Sequence, residues 1–150
     1  KLIENLGHIP NLTVINSYVD HHDTENSFDN LMKETQAPND LDLLSIDIDG
    51  YDYHVWESIK EYNAKLVIIE INSGADPTNE EWVHTPGKYQ GTAFNPMLKL
   101  GNKLGYKFLL HTGNMIFARN DVAECFDINY ADPLENFRLG PAPGCRWGGG

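Results

Sequence analysis

The sequence predicts an α/β fold: a mostly parallel sheet that finishes in an antiparallel strand pair, with helices on both faces. Three stretches carry that expectation. Residues 42–59 read as an apolar strand (Leu43, Leu44, Ile46, Ile48) with Asp47 and Asp49 toward its carboxyl end. A turn at Gly50 follows, then a helix with Asp52 at its N-cap and Val55, Trp56 and Ile59 at helical spacing. Residues 64–71 (AKLVIIEI) are an almost unbroken apolar run, as expected of a central parallel strand covered on both faces. Residues 106–111 and 114–118 form the closing strand pair, turned at Thr112, Gly113 and Asn114.

The remaining elements follow in chain order. Residues 11–19 are β-branched and alternate Leu12, Val14 and Ile15 with polar residues, which predicts a strand. Asp20, His21, His22 and Asp23 read as a solvated loop. Two adjacent histidines flanked by aspartates offer metal donors, but neighbours on extended backbone point to opposite faces. Phe28, Leu31 and Met32 have helical spacing, with Ser27 as cap and Pro38 in the stop. The helix after Asp52 runs to about Tyr62. Residues 73–90 are a long polar insertion, a length that suits a lid or binding loop. Thr92 caps a helix through Phe94, Met97, Leu98, Leu100 and Leu104, with Pro96 in its first turn and Gly105 as its stop. Residues 1–130 then form one partial domain, and residues 131–150 an irregular Pro/Gly-rich tail.

Bulk properties narrow the function. A length of 150 residues gives one domain with a real core, and 41% hydrophobic with 22% charged residues is ordinary for a globular protein. The net charge of −11 argues against nucleic acid or an anionic membrane surface as partner. Apolar runs are strand-sized, and no signal-peptide pattern opens the chain. Cys125 and Cys145 show no Cys-x-x-Cys spacing, which reads as reduced thiols in a cytoplasmic protein. The sequence begins at Lys1 with an apolar run almost at once, so upstream sequence is expected to be missing.

Asp47, Asp49 and Asp52 admit several readings. They are strand-end, turn and cap residues in the plainest one. An EF-hand fails, because counted from Asp47 the glycine is fourth and the twelfth residue is Ser58. A haloacid-dehalogenase-like phosphatase would use Asp47 as nucleophile and Asp49 as acid/base. Tyr51 stands where that motif has Thr, and a helix follows where that family inserts a flap. A glycosyltransferase-type Asp-x-Asp metal site is a weaker variant.

Taken together, residues 42–59, 64–77 and 91–121 resemble the C-terminal two-thirds of a class I S-adenosylmethionine-dependent methyltransferase, near the FkbM-like group. In that group an Ile-Asp-x-Glu/Asp-Gly segment ends the fourth strand, an apolar strand ending in Glu follows, and a late helix leads into an antiparallel pair. The resemblance implies a truncated Rossmann-like sheet and S-adenosylmethionine as cofactor. It implies methyl transfer to a hydroxyl oxygen of a small-molecule or sugar acceptor. No Gly-x-Gly cofactor loop stands upstream of Asp47, so the chain reads as a fragment, with residues 11–19 at the third strand.

Site residues follow from that resemblance and from strand parity. Asp47 and Asp49 share one side of their strand, and Glu70 and Asn72 one side of theirs. These four are expected to line an acceptor or magnesium site, with Asp47 also toward the cofactor and Asp49 in catalysis. His54 is the candidate general base, against a plainer identity as a surface helix histidine. Trp82, His84 and Tyr89 are expected to touch substrate, the aromatic pair alternatively touching the missing strands. A non-catalytic, methyltransferase-like binding module is the remaining alternative, and a truncated sheet edge would favour a homo-oligomer.

Overall fold

A computed structural model describes Leu6 and residues 8–138. Its elements are α1 (Phe28–Lys33), β1 (Asp40–Ile46), α2 (Asp52–Ser58), β2 (Asn63–Glu70), α3 (Phe94–Lys103), β3 (Tyr106–His111), β4 (Asn114–Arg119), α4 (Asn120–Ala123) and α5 (Pro133–Arg138). The strands form a four-stranded sheet in the order β1-β2-β4-β3. β1 and β2 are parallel, whereas β4 runs antiparallel to both β2 and β3.

The sheet is therefore α/β but not mostly parallel. Parallel pairing is confined to β1 and β2 because residues 11–19 join no ladder; an isolated parallel bridge links Asp20 to Ser27. Leu12 and Tyr18 are 43% and 67% exposed. A β-branched run has the propensity for a strand, but without a neighbouring edge and a face to bury it gains nothing from extending.

One face carries most of the core. Val67, Ile69, Met115 and Phe117 from β2 and β4 meet Trp56 of α2 and Phe94, Met97 and Leu100 of α3. Gly101 allows α3 to come this close, since a Cβ there would stand 2.4 Å from the Phe117 ring. The second face carries the short helix α4, with Ala123 against Leu109 and Ala118. Leu43 and Leu110 stay exposed.

Three boundaries differ from the expected ones for identifiable reasons. α2 stops at Ser58 because the Asp29 carboxylate of α1 accepts the Lys60 and Glu61 N–H groups, at 2.9 and 3.3 Å, and holds that chain out of the helix. Ala93, not Thr92, precedes α3; the buried Thr92 Oγ1 instead accepts the His84 N–H at 3.1 Å. Within the stretch expected to be an irregular tail, Pro133–Arg138 is helical, and Phe137 packs on Phe94 and His111. Residues 139–150, with Cys145, lie outside the described residues; Cys125 is a free, exposed thiol. No helix among the described residues is long and apolar enough to cross a membrane.

Candidate functional site

The turn after β1 is built by Asp52. Its carboxylate is buried and accepts the Ile48 N–H at 3.0 Å and the Gly50 N–H at 2.9 Å. Tyr51 takes the N-cap position and Asp52 the first helical turn, so Asp52 folds the approach to α2 backwards instead of capping it. The chain between these bonds adopts left-handed backbone, with φ of 57° at Asp49 and 122° at Gly50. Aspartate tolerates that region better than most residues, and glycine tolerates it freely. A Cβ at Gly50 would stand 2.6 Å from the His84 ring, so the position requires glycine on steric grounds as well.

This turn leaves Asp47 and Asp49 exposed at the carboxyl edge of the sheet. Ile46 pairs with Ile69 in the last register step, so Glu70 ends β2 beside the start of the turn. Burial raises the pKa of Glu70, and the negative charges of Asp52, Asp47 and Asp49 raise it further. Among the described residues no ion pair involves any of these four acids. The edge is an uncompensated negative field.

Asn72, expected beside them as a metal ligand, is committed elsewhere. Its Oδ1 accepts the Gly74 N–H at 3.0 Å and its Nδ2 donates to the Gln90 carbonyl at 2.8 Å, closing the base of the 73–90 loop. Nor do Asp47, Asp49 and Glu70 form a convergent donor set: among the described residues, the group of three or more close metal-type donors is Asp20, His21 and His22. Of the four residues expected to hold magnesium, Asn72 is thus taken up by the base of the loop.

The long loop folds down onto the turn. His84 is buried, its Nδ1 accepts the Gly91 N–H at 3.2 Å, and its ring lies 4.6 Å from that of Tyr51. It works as the loop's clasp, where a substrate contact was expected. Trp82 and Tyr89 stack on each other at 4.9 Å, with Lys88 Nζ 4.7 Å above the Tyr89 ring. The Trp82 indole N–H is buried without a partner among the described residues. His54, half-buried on α2, donates from Nε2 to the His84 carbonyl at 3.1 Å, which leaves Nδ1 as its basic nitrogen.

His21 and His22 were expected to diverge, and they do not. The backbone at residues 21–24 bends instead of extending, and the two rings lie 4.0 Å apart. His21 stacks on Tyr51 at 5.2 Å and lies 5.3 Å from His54, which brings the 20–23 loop onto the same turn. Burial, with the neighbouring His22 and His54, lowers the His21 pKa.

Two further features were not visible in the sequence. At the carboxyl edge, Ser73 Oγ lies 2.7 Å from His111 Nε2 and 2.9 Å from the Gly113 carbonyl, joining the 73–90 loop to the β3–β4 turn. Clefts of about 230 and 180 Å³ share Tyr106, at the opposite edge from the carboxylates. Neither cleft includes the acidic edge.

No curated protein and no solved structure matches the chain. The methyltransferase FkbM domain model matches residues 12–108, more than half of the sequence, from the loop carrying His21 through β1, the acidic turn, β2, α3 and into β3. That match sets aside the phosphatase reading, as does the start of α2 directly after the turn, which leaves no flap. The chain belongs to the FkbM methyltransferase family.

Proposed function

We propose that the carboxyl edge of this sheet forms the acceptor side of an S-adenosylmethionine-dependent methyl transfer to a hydroxyl oxygen of a small molecule or sugar. One observation carries the reading: Asp47, Asp49 and Glu70 share an edge on which burial, and then the neighbouring negative charges, raise the Glu70 pKa, with no cation paired to them among the described residues. An edge of that kind suits a positively charged ligand. S-adenosylmethionine supplies the methyl group on a sulfonium carrying such a charge. Upstream of Asp47 the sequence contains no Gly-x-Gly pattern for its adenosine, so these residues fit the cationic end alone.

In this reading Asp47 faces the positive centre, Asp49 accepts a hydrogen bond from the acceptor hydroxyl and orients it, and His54 takes the proton on Nδ1. Positioning supplies most of the rate, because the acceptor oxygen must align with the transferred carbon. Trp82 and Tyr89, already stacked, give the acceptor an aromatic wall. Because Asn72 is committed to the loop base, the reading assigns magnesium no role. The net charge of −11 supports a neutral or cationic acceptor over nucleic acid, in a cytoplasmic setting. The outer side of β1 carries no strand among the described residues, which suits pairing with upstream sequence or a second copy.

Calorimetric titration with S-adenosylhomocysteine tests the reading, on this chain and on one extended upstream. Binding weakened by Asp47→Asn and unchanged by magnesium is the expected result. A folded, extended chain that binds nothing would overturn it. Should Asp49→Asn in an active, extended enzyme leave kcat intact, Asp49 drops out of the mechanism.

A further inference from the structure

We propose that Asp20, His21 and His22 form a binding site for a divalent transition metal of the zinc class. The proposal goes beyond methyl transfer and does not depend on it. One donor atom from each residue lies within 4.8 Å of the others, the spread expected of ligands around one small ion before it draws them together. Among the described residues His21 Nδ1 is buried without a hydrogen-bond partner, and it lies 3.6 Å from Asp20 Oδ1. A buried ring nitrogen without a partner loses its hydration for no return, and an ion beside it would use the vacant lone pair.

The donors are held by the protein's own bonds. Asp20 Oδ1 accepts the His22 N–H at 3.0 Å, Asp20 Oδ2 accepts the Thr24 hydroxyl at 3.2 Å, and the Asp20 N–H donates to the Asn26 carbonyl at 2.9 Å. The carboxylate therefore fixes the loop that carries both imidazoles while keeping lone pairs for an ion. Tyr51 and His54 pack against the His21 ring and limit its freedom. This support resembles the hydrogen-bonded shell that orients ligands in metal proteins.

Donor chemistry selects the ion. Two imidazoles and a carboxylate match zinc and its first-row neighbours, whereas magnesium and calcium prefer all-oxygen surroundings. Three protein ligands leave coordination positions open to water or to a bound molecule, unlike the closed four-ligand sites that serve structure alone. Because Tyr51 belongs to the turn carrying Asp49, the site adjoins that turn.

The test is zinc titration of the full chain in competition with a chromophoric chelator. One zinc per chain is expected, with affinity lowered at least about tenfold by His22→Ala and by His21→Ala. Asp23→Asn, a neighbouring charge outside the donor set, should leave it unchanged. His22→Ala is the decisive variant because His22 is exposed and its removal leaves the fold intact, which circular dichroism checks. Magnesium at the same concentration should not displace the zinc. Equal binding by wild type and His22→Ala would overturn the proposal, as would an equal loss in Asp23→Asn, which would indicate general attraction to an acidic surface.

Discussion

The two ends of the sheet treat charge in opposite ways. At the end where β1 and β2 begin, Arg119 pairs with Asp40 at 2.6 Å and with Asp121 at 2.7 Å, and Lys65 pairs with Asp42 at 2.6 Å. The Tyr106 hydroxyl stands 2.6 Å from Asn63 Oδ1 and accepts the Ala64 N–H at 3.1 Å. At the other end burial and then the charges of Asp52, Asp47 and Asp49 raise the pKa of Glu70, Asp49 sits in left-handed backbone, and the His21 Nδ1 is buried without a partner among the described residues. A strand end that served stability alone would be built like the first. The second retains repulsion and left-handed backbone, as ligand sites do, and that contrast supports the proposed placement of the acceptor site there.

The contrast is broken most severely at Asp52, whose charge is used for structure inside the functional end. Asp52→Ala leaves two N–H donors without their carboxylate, and should lower unfolding stability by roughly 3 kcal/mol. Asp52→Asn retains one acceptor and should recover part of that. Urea denaturation measures both; a loss near zero would mean that water replaces the carboxylate and that the turn stands without it. At the paired end, Tyr106→Phe removes a single hydroxyl shared by the start of β2, with an expected loss of about 1–2 kcal/mol. Arg119→Ala should cost about 1 kcal/mol or less, because both partner carboxylates are largely exposed and water screens them. Reversal of that order would show that the paired end depends on ion pairs more than on its buried hydroxyl.

What could be read in advance divides along physical lines. β1, β2, α3 and the β3–β4 pair were legible because an apolar period and a glycine stop are local signals. The pairing partner is not local, so residues 11–19 had strand composition and no strand to pair with. Asp47, Asp49 and Glu70 were legible as strand-end acids, and the family followed from the same segments. The convergence of His21 with His22 is not legible in the sequence, because adjacent side chains diverge only on extended backbone and Asp20 bends it. The loop bonds of His84 and Asn72 are hidden in the sequence for a related reason. A polar side chain in a long loop offers itself to substrate or to the loop's own backbone, and only the folded loop shows Gly91, Gly74 and Gln90 taking up those groups.

Glu70 yields the smallest effect and the one of opposite sign. Its folded-state pKa lies above the ordinary carboxylate value, so between the two values the folded chain binds more protons than the unfolded one. Stability from this group therefore falls as pH rises through that window and stays reduced above it. Glu70→Gln should raise the urea midpoint at neutral pH, and the gain should vanish below the ordinary carboxylate range, where both side chains are neutral. The same variant should weaken binding of a cationic ligand at the acidic edge. If Glu70→Gln instead destabilised the chain at neutral pH, the edge would hold a compensating group for that carboxylate, and the contrast between the two ends of the sheet would fail at its central residue.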